Sequence, residues 1–260
     1  MLLRHALESY EAYLVERNHA MGCLVAIRRP FVLFINDEIP ASGYNYADVV
    51  PWSPMPGRKR IEEVMAHYRA RGHSPYFNFT LETAPQGLVE ALQLARCALT
   101  SRTYVMFQRE AVNPPAPSDV RLGETEPDDT RAAGRILSVS FGSGESVWQE
   151  PTLRARLMAR MRAVRMRQLG VWVEEQLAAA VHLHTAAGVG HITGMATAPE
   201  FRGRGLAGLL TAYAARVARE EGAALVALEV ATPDAERVYA RIGFRRMAER
   251  VEYVGAALRQ

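Results

Sequence analysis

The chain has 260 residues, 49% hydrophobic and 23% charged, with a net charge of +3. That length suits two domains at about 150 residues each, the composition is that of a globular protein, and so small a charge argues against a nucleic-acid partner. Lys59 is the only lysine, so the arginine richness reads as coding bias. Cys23 and Cys97 lie far apart and form no disulfide framework, which points to a reducing compartment. "MLLRHALESYEAY" sets charges among its apolar positions, unlike a secretory leader. Arg28 and Arg29 split the best apolar run well short of the ~20 residues that span a bilayer. The expectation is a soluble, cytoplasmic protein.

Leu3, Leu7, Tyr10 and Leu14 recur at helical spacing and predict a first helix. "CLVAIRRPFVLFIN" is strand-like, with Pro30 marking a break or an edge. Ile61, Val64, Met65 and Tyr68 predict a helix that stops at Gly72. "PYFNFT" reads as a strand, Leu88, Ala91, Leu92 and Ala95 as a helix stripe, and "TYVMFQ" as another strand. Then "AVNPPAPSD", residues 111–119, forms a semi-rigid extended linker, because three prolines in four positions continue neither a helix nor a central strand. The expected domains are 1–112 and 119–260.

After the linker, "DVRLGET" predicts a strand, and 129–140 and 151–168 helices. "GVWVEEQLAAAVHLH" predicts two strands joined by a tight turn near Glu175 and Gln176. "VGHITGMAT" follows as a strand. Leu206, Leu209, Leu210, Tyr213 and Val217 line one face of a helix ending near Gly222. "ALVALEVA", apolar almost throughout, suits a strand buried on both faces. Ala235, Val238, Tyr239 and Ile242 stripe the next helix, with Thr232 as N-cap, Pro233 in the first turn and Gly243 past the end. "RMAERVEYV" closes the chain as a strand. A helix–strand–helix–strand run occurs twice, at 58–108 and at 204–254.

The stretch most informative about chemistry is "EFRGRGLAGLL", residues 200–210. Its three glycines and two arginines stand at the mouth of a helix. Such a turn offers unpaired N–H groups and a partial positive charge, so it suits a phosphate. Glycines remove the side chains that would hold an anion off, and Arg202 and Arg204 add charge-assisted bonds. Gly203-x-Gly205-x-x-Gly208 also satisfies a dinucleotide fingerprint, with Glu229 about 20 residues on. Against that reading, "APEFR" separates the glycines from their strand, and too little chain remains for a doubly wound sheet. No Gly-Lys-Ser or Gly-Lys-Thr exists, which excludes a P-loop.

"GHITGMATAPEFRGRGLAGLL" followed by "ALEVATPDAERVYARIGF" resembles the Gcn5-related N-acetyltransferase (GNAT) superfamily across roughly 119–254. The first stretch is similar to its acyl-CoA motif, here Arg202, Gly203, Arg204, Gly205, Leu206 and Ala207. The second is similar to its last conserved helix, with Tyr239 four residues before Gly243 and Phe244. The helix-opening position often held by Asn is Thr232. The resemblance implies an α/β (α+β) fold with a mixed, mostly antiparallel sheet flanked by helices. It implies acetyl-CoA as co-substrate and an amine acceptor. It also implies a cofactor arm paired with the strand backbone at Met195, Ala196 and Thr197, and pyrophosphate at the glycine loop and Thr232. Tyr239 is the implied acid for the leaving thiolate. For the base, His191 stands near the family's usual Glu position, and Glu229 is the other candidate.

His182 and His184 share a strand face, but no third ligand is evident and alternating exposed positions explain them, so no metal is expected. Trp148 falls in the segment that often shapes the family's acceptor pocket. The N-terminal half has "PWSPMPGRKR" where the glycine loop would be. The expectation is a degenerate GNAT-like domain without a second acetyl-CoA, in a monomer or homodimer with no membrane contact. The alternative from another class is a non-catalytic acyl-CoA-binding regulatory module.

Overall fold

The structure, a computed structural model, describes residues 2–126, 129–141, 151–164 and 166–256. It divides into two compact units, Met1–Val105 with Met247–Gln260, and Met106–Arg246. The division does not follow the proline segment at 111–119, where the sequence placed the boundary between 1–112 and 119–260. It falls inside two strands instead, and the end of the chain belongs to the first unit.

In the first unit α1 (Leu2–Ala20) precedes β1 (Leu24–Arg28) and β2 (Phe31–Ile35), an antiparallel hairpin turning at Arg29 and Pro30. Pro30 therefore sits in a turn, where its missing N–H costs no ladder bond. β3 (Tyr46–Val49), α2 (Arg58–Arg69), β4 (Tyr76–Thr80), α3 (Leu88–Leu94) and β5 (Cys97–Gln108) follow. β11 (Phe244–Gly255) lies between β4 and β5, giving the order β1-β2-β3-β4-β11-β5. The predicted stripe Ile61, Val64, Met65 and Tyr68 packs with Phe31, Phe77 and Phe79 in one apolar core.

The second unit runs β6 (Val120–Glu124), α4 (Thr130–Phe141), α5 (Pro151–Ala163), β7 (Arg167–Val173), β8 (Gln176–Ala186) and β9 (Val189–Thr197), then α6 (Leu206–Glu220), β10 (Leu225–Val230) and α7 (Pro233–Ala240). Its sheet has the order β10-β9-β8-β7-β6. β6 to β9 pair antiparallel and β9 with β10 parallel. This is the mixed, mostly antiparallel sheet that the resemblance implied. The helix expected over 151–168 ends at Ala163, and Arg167 already opens β7. Gly190 lets α6 lie close to β9, since a Cβ there would meet Ala218 Cβ at 2.4 Å.

The two units share a pattern of pairing. β1, β2, β3 and β4 pair antiparallel, antiparallel and parallel, and so do β7, β8, β9 and β10. A helix intervenes before the parallel strand in each case, α2 in the first unit and α6 in the second.

Candidate active site

β9 carries a defect in the right place. Its register with β8 shifts between Ala180 and His182, so Gly194 and Met195 together oppose a single residue. Such a bulge bends its strand, and Gly194 adopts the φ of 63° that it requires. The parallel ladder with β10 runs from Val189↔Leu225 to Ile192↔Leu228 and stops there. Beyond that point β9 keeps β8 on one side, through Ala196↔Ala180 and Thr197↔Ala179, while its other edge borders a cleft of 880 Å³. Met195, Ala196 and Thr197 line that cleft. The Ala196 side chain belongs to the core with Leu137 and Ala180, so at that position β9 offers backbone.

After β9 the chain makes a short 3-10 turn, Pro199–Phe201, and enters α6 through Gly203 and Gly205. Both glycines have left-handed φ, 78° and 76°, and a Cβ on either would meet nothing within 4 Å. Gly205 is the N-cap and makes no side-chain cap bond. The Leu209 N–H is bonded to the Gly205 carbonyl at 3.1 Å, so the N–H groups of Leu206, Ala207 and Gly208 precede the first intrahelical bond. Gly203, Gly205, Leu206, Ala207 and Arg202 all line the cleft. Arg202 Nε donates to the Thr197 carbonyl at 3.2 Å. Arg204, by contrast, is turned to Asp119, with Nη2 donating to Oδ2 at 2.8 Å, and does not line the cleft.

α7 forms the opposite wall. Thr232 caps it as the sequence predicts, its Oγ1 accepting the Ala235 N–H at 3.3 Å. Asp234, Val238, Tyr239 and Arg241 face the same cleft. Tyr239 is half-buried, its ring edge-on to Phe244 at 6.3 Å. Burial raises its hydroxyl pKa to about 12. Gly243 closes the turn after the helix, where only glycine fits: φ is 90° and a Cβ would stand 1.7 Å from the Glu110 carbonyl oxygen.

The two base candidates lie elsewhere. His191 is buried on β9 directly across from His184 of β8. Glu229 is half-buried on β10. Neither lines the cleft. His182 and His184 are not the exposed, alternating positions that the sequence suggested, since both are buried. The His182 Nε2 lies 2.9 Å from Gln168 Nε2, and burial lowers its pKa to about 4. Among the described residues no cluster of three or more His, Cys, Asp or Glu could hold a metal, and no helix is long and apolar enough to cross a membrane. Trp148 lies outside the described residues. Sequence reasoning missed Phe201, Val238 and Arg241 as lining residues. Val238 was visible only as part of the α7 apolar stripe. It also missed the bulge, whose one trace in the sequence is a glycine inside a strand.

Residues 134–244 match the model of the acetyltransferase (GNAT) family. No curated protein matches the chain. Among solved structures, a GCN5-related N-acetyltransferase from Kribbella flavida superposes with a TM-score of 0.76 at 20% identity, over 94% of each chain. A tandem GNAT protein from the clavulanic acid biosynthesis pathway gives 0.64 at 16% identity, over 88% of this chain and 79% of that one. A GCN5-related N-acetyltransferase from Sphaerobacter thermophilus gives 0.59 at 17%, over 86% and 75%. The chain has the GNAT fold, and residues 134–244, within its second unit, match the GNAT family model.

Proposed function

We propose that the protein is an acetyl-CoA-dependent N-acetyltransferase acting on a primary amine of a small molecule or protein. The observation that carries this reading is the convergence, on one cleft, of a strand edge released by the β9 bulge, an uncapped α6 start behind two left-handed glycines, and the Tyr239 side chain. The N–H groups of Leu206, Ala207 and Gly208 would take the pyrophosphate, assisted by Arg202. Backbone groups of Met195 to Thr197 would pair with the amides of the pantetheine arm, and Thr232 would close the other side.

In the reaction the neutral amine attacks the thioester carbonyl, a C–N bond forms and the C–S bond breaks. The proton of the Tyr239 hydroxyl goes to the departing thiolate. Asp234 is the only carboxylate on the cleft wall among the described residues, and it is paired with Arg237. We therefore assign the amine's proton to water rather than to His191 or Glu229. An amine of pKa ~10.4 is under about one per cent neutral at pH 8, so turnover should climb with pH.

We further infer that the first unit is a degenerate copy of the same fold, on the strength of its repeated pairing pattern. Gly57, at the start of α2, has an ordinary φ of −69° and follows Pro54 and Pro56. That turn lacks the left-handed glycines of the second unit, so one acetyl-CoA per chain is expected. Calorimetric titration together with thiol release against an amine panel tests the reading. No acetyl-CoA binding would overturn it. Binding without thiol release for any amine would favour the non-catalytic module.

A further inference from the structure

α6 and α7 form two walls of the cleft, and one buried side chain of the second unit joins their C-terminal ends. Gln108, the last residue of β5, is 7% exposed. Its Nε2 donates to the Ile242 carbonyl at 2.9 Å. Its Oε1 accepts from Nη1 of Arg219, in the last turn of α6, and the same Nη1 reaches the Ala215 carbonyl at 3.3 Å. The next two residues seat the same turn. The Arg109 N–H donates to the Gly243 carbonyl at 2.9 Å, and the Glu110 carbonyl fills the space that a Gly243 Cβ would need. Near the start of α6 the two helices also touch, since a Cβ on Gly208 would stand 3.6 Å from Val238 Cγ1.

A buried carbonyl at a helix end needs a donor, and the guanidinium beside it needs an acceptor. A neutral carboxamide supplies both at once. An ionised carboxylate of the same shape would satisfy Arg219 and oppose the carbonyl. Tyr239 lies one turn before this anchor. The Ile242 N–H donates to the Tyr239 carbonyl at 3.1 Å, and the Tyr239 ring rests edge-on to Phe244, just beyond the anchor. The hold on the end of α7 therefore fixes where the hydroxyl lies. In the reading above, the thioester is fixed by pyrophosphate at the start of α6. The Gln108 amide thus spans the two helices that carry the two partners of the proton transfer.

We propose that Gln108, braced by Arg219, is a positioning residue for the Tyr239 hydroxyl, tying the end of α7 to α6 so that the hydroxyl meets the leaving sulfur. Gln108 does not line the cleft, so it acts only through Tyr239. The proposal rests on the acetyl-transfer reading for its chemistry and on the bonds of Gln108 for its geometry. A displacement of about 1 Å at a reacting group costs up to about 10²-fold in rate, so a loosened α7 is read in kcat.

Gln108→Glu keeps the Arg219 contact and loses the donor to Ile242. Arg219→Met, at a half-buried position, keeps that donor and loses its brace. In thiol-release assays Gln108→Glu should lower kcat about tenfold or more, and Arg219→Met should lower it less. Acetyl-CoA Kd by calorimetry should stay within about twofold of wild type. In the Tyr239→Phe background neither change should lower kcat further, because the hydroxyl it serves is gone. Should Gln108→Glu fail to fold, Arg219→Met carries the same comparison in both backgrounds. Tyrosine labelled with carbon-13 at Cζ adds a readout without turnover. The Tyr239 resonance, identified by its loss in Tyr239→Phe, should move in both variants. Wild-type kcat in folded Gln108→Glu would overturn the proposal. So would equal losses in both backgrounds, joint loss of kcat and acetyl-CoA affinity, or an unmoved Tyr239 resonance. A wild-type chain that releases no thiol for any amine would overturn the acetyl-transfer reading instead, and the resonance alone would then decide whether Gln108 places the tyrosine.

Discussion

Arg204 Nη2 donates to Asp119 Oδ2 at 2.8 Å, which ties the second arginine of the glycine loop to the residue just before β6. Both side chains are substantially exposed, at 41% and 45%, so the pair adds little to stability. Its effect is to hold a guanidinium away from the cleft. Asp119→Ala releases it. The acetyl-CoA Kd should fall about two- to fivefold, the span of a weak exposed charge contact, with the melting temperature little changed. Calorimetry on both proteins checks this.

Gly205→Asp places a negative side chain at the N-cap of α6, where the phosphate would sit. Nothing lies within 4 Å of the new Cβ, so the one steric cost is the left-handed φ of 76° on a non-glycine residue, which Asp tolerates better than most. Like charge at a helix start should weaken acetyl-CoA by about tenfold or more. Circular dichroism should stay native, and calorimetry should show the lost affinity.

Tyr239→Phe keeps the ring against Phe244 and removes the proton. General acid catalysis contributes about 10²–10⁴-fold, and a thiolate is a tolerable leaving group, so a loss in kcat near about 10²-fold is expected. Acetyl-CoA affinity and melting temperature should hold. With its pKa raised to about 12 by burial, the tyrosine stays protonated through pH 10, and the wild-type rate should show no falling alkaline limb below that. Full turnover in the Phe variant would make the hydroxyl idle.

Much of this cleft is written in short runs of sequence. The turn from Arg202 to Gly208 and the cap, proline and glycine of α7 are local signals, because each depends on backbone geometry within a few residues. Thr232, Gly205 and Gly243 took the positions that their chemistry predicts. What the sequence hid is set by distant neighbours. His182 and His184 alternate with apolar residues and read as a solvent-facing row, yet α4 covers that face. The closeness of the Leu137 side chain and His182 to Gly194 shows this. Likewise "RMAERVEYV" is plainly a strand, but nothing within it says which sheet it completes.

Burial of His182 makes stability depend on pH. Its pKa falls from 6.5 to about 4 in the folded chain, so the unfolded state binds the proton more readily. The native state is undiminished above pH 6.5 and loses stability as pH drops from 6.5 toward 4. The full loss is about 3 kcal/mol at 1.36 kcal/mol per unit. Urea unfolding at pH 7 and at pH 4.5 should show most of it, and His182→Gln should flatten that part of the curve.

Gly243→Ala should be poorly tolerated. A methyl group there meets the Glu110 carbonyl oxygen at 1.7 Å, and the Gly243 carbonyl accepts the Arg109 N–H at 2.9 Å, which leaves the backbone little room to yield. The expected cost exceeds about 4 kcal/mol, read as a collapse of the melting temperature or loss of soluble protein. Gly203→Ala, with open space around it, should lose only about 1–2 kcal/mol, the cost of its left-handed φ of 78° to an L residue.

Arg250 comes 239 residues after Glu11, and it arrives on β11, the strand that the first unit lacks until the end of the chain. During synthesis, therefore, β4 lacks β11 beside it, and Glu11 and Asp48 lack the Arg250 guanidinium, which in the folded chain reaches Glu11 Oε1 at 3.4 Å and Asp48 Oδ2 at 2.8 Å. The ribosome must add everything between Val105 and Met247 first, which at about 5–20 residues per second takes roughly 7 to 30 seconds. The half of the protein made first is thus the half finished last. Over that interval its open sheet edge is exposed to chaperones, to proteases and to other nascent chains.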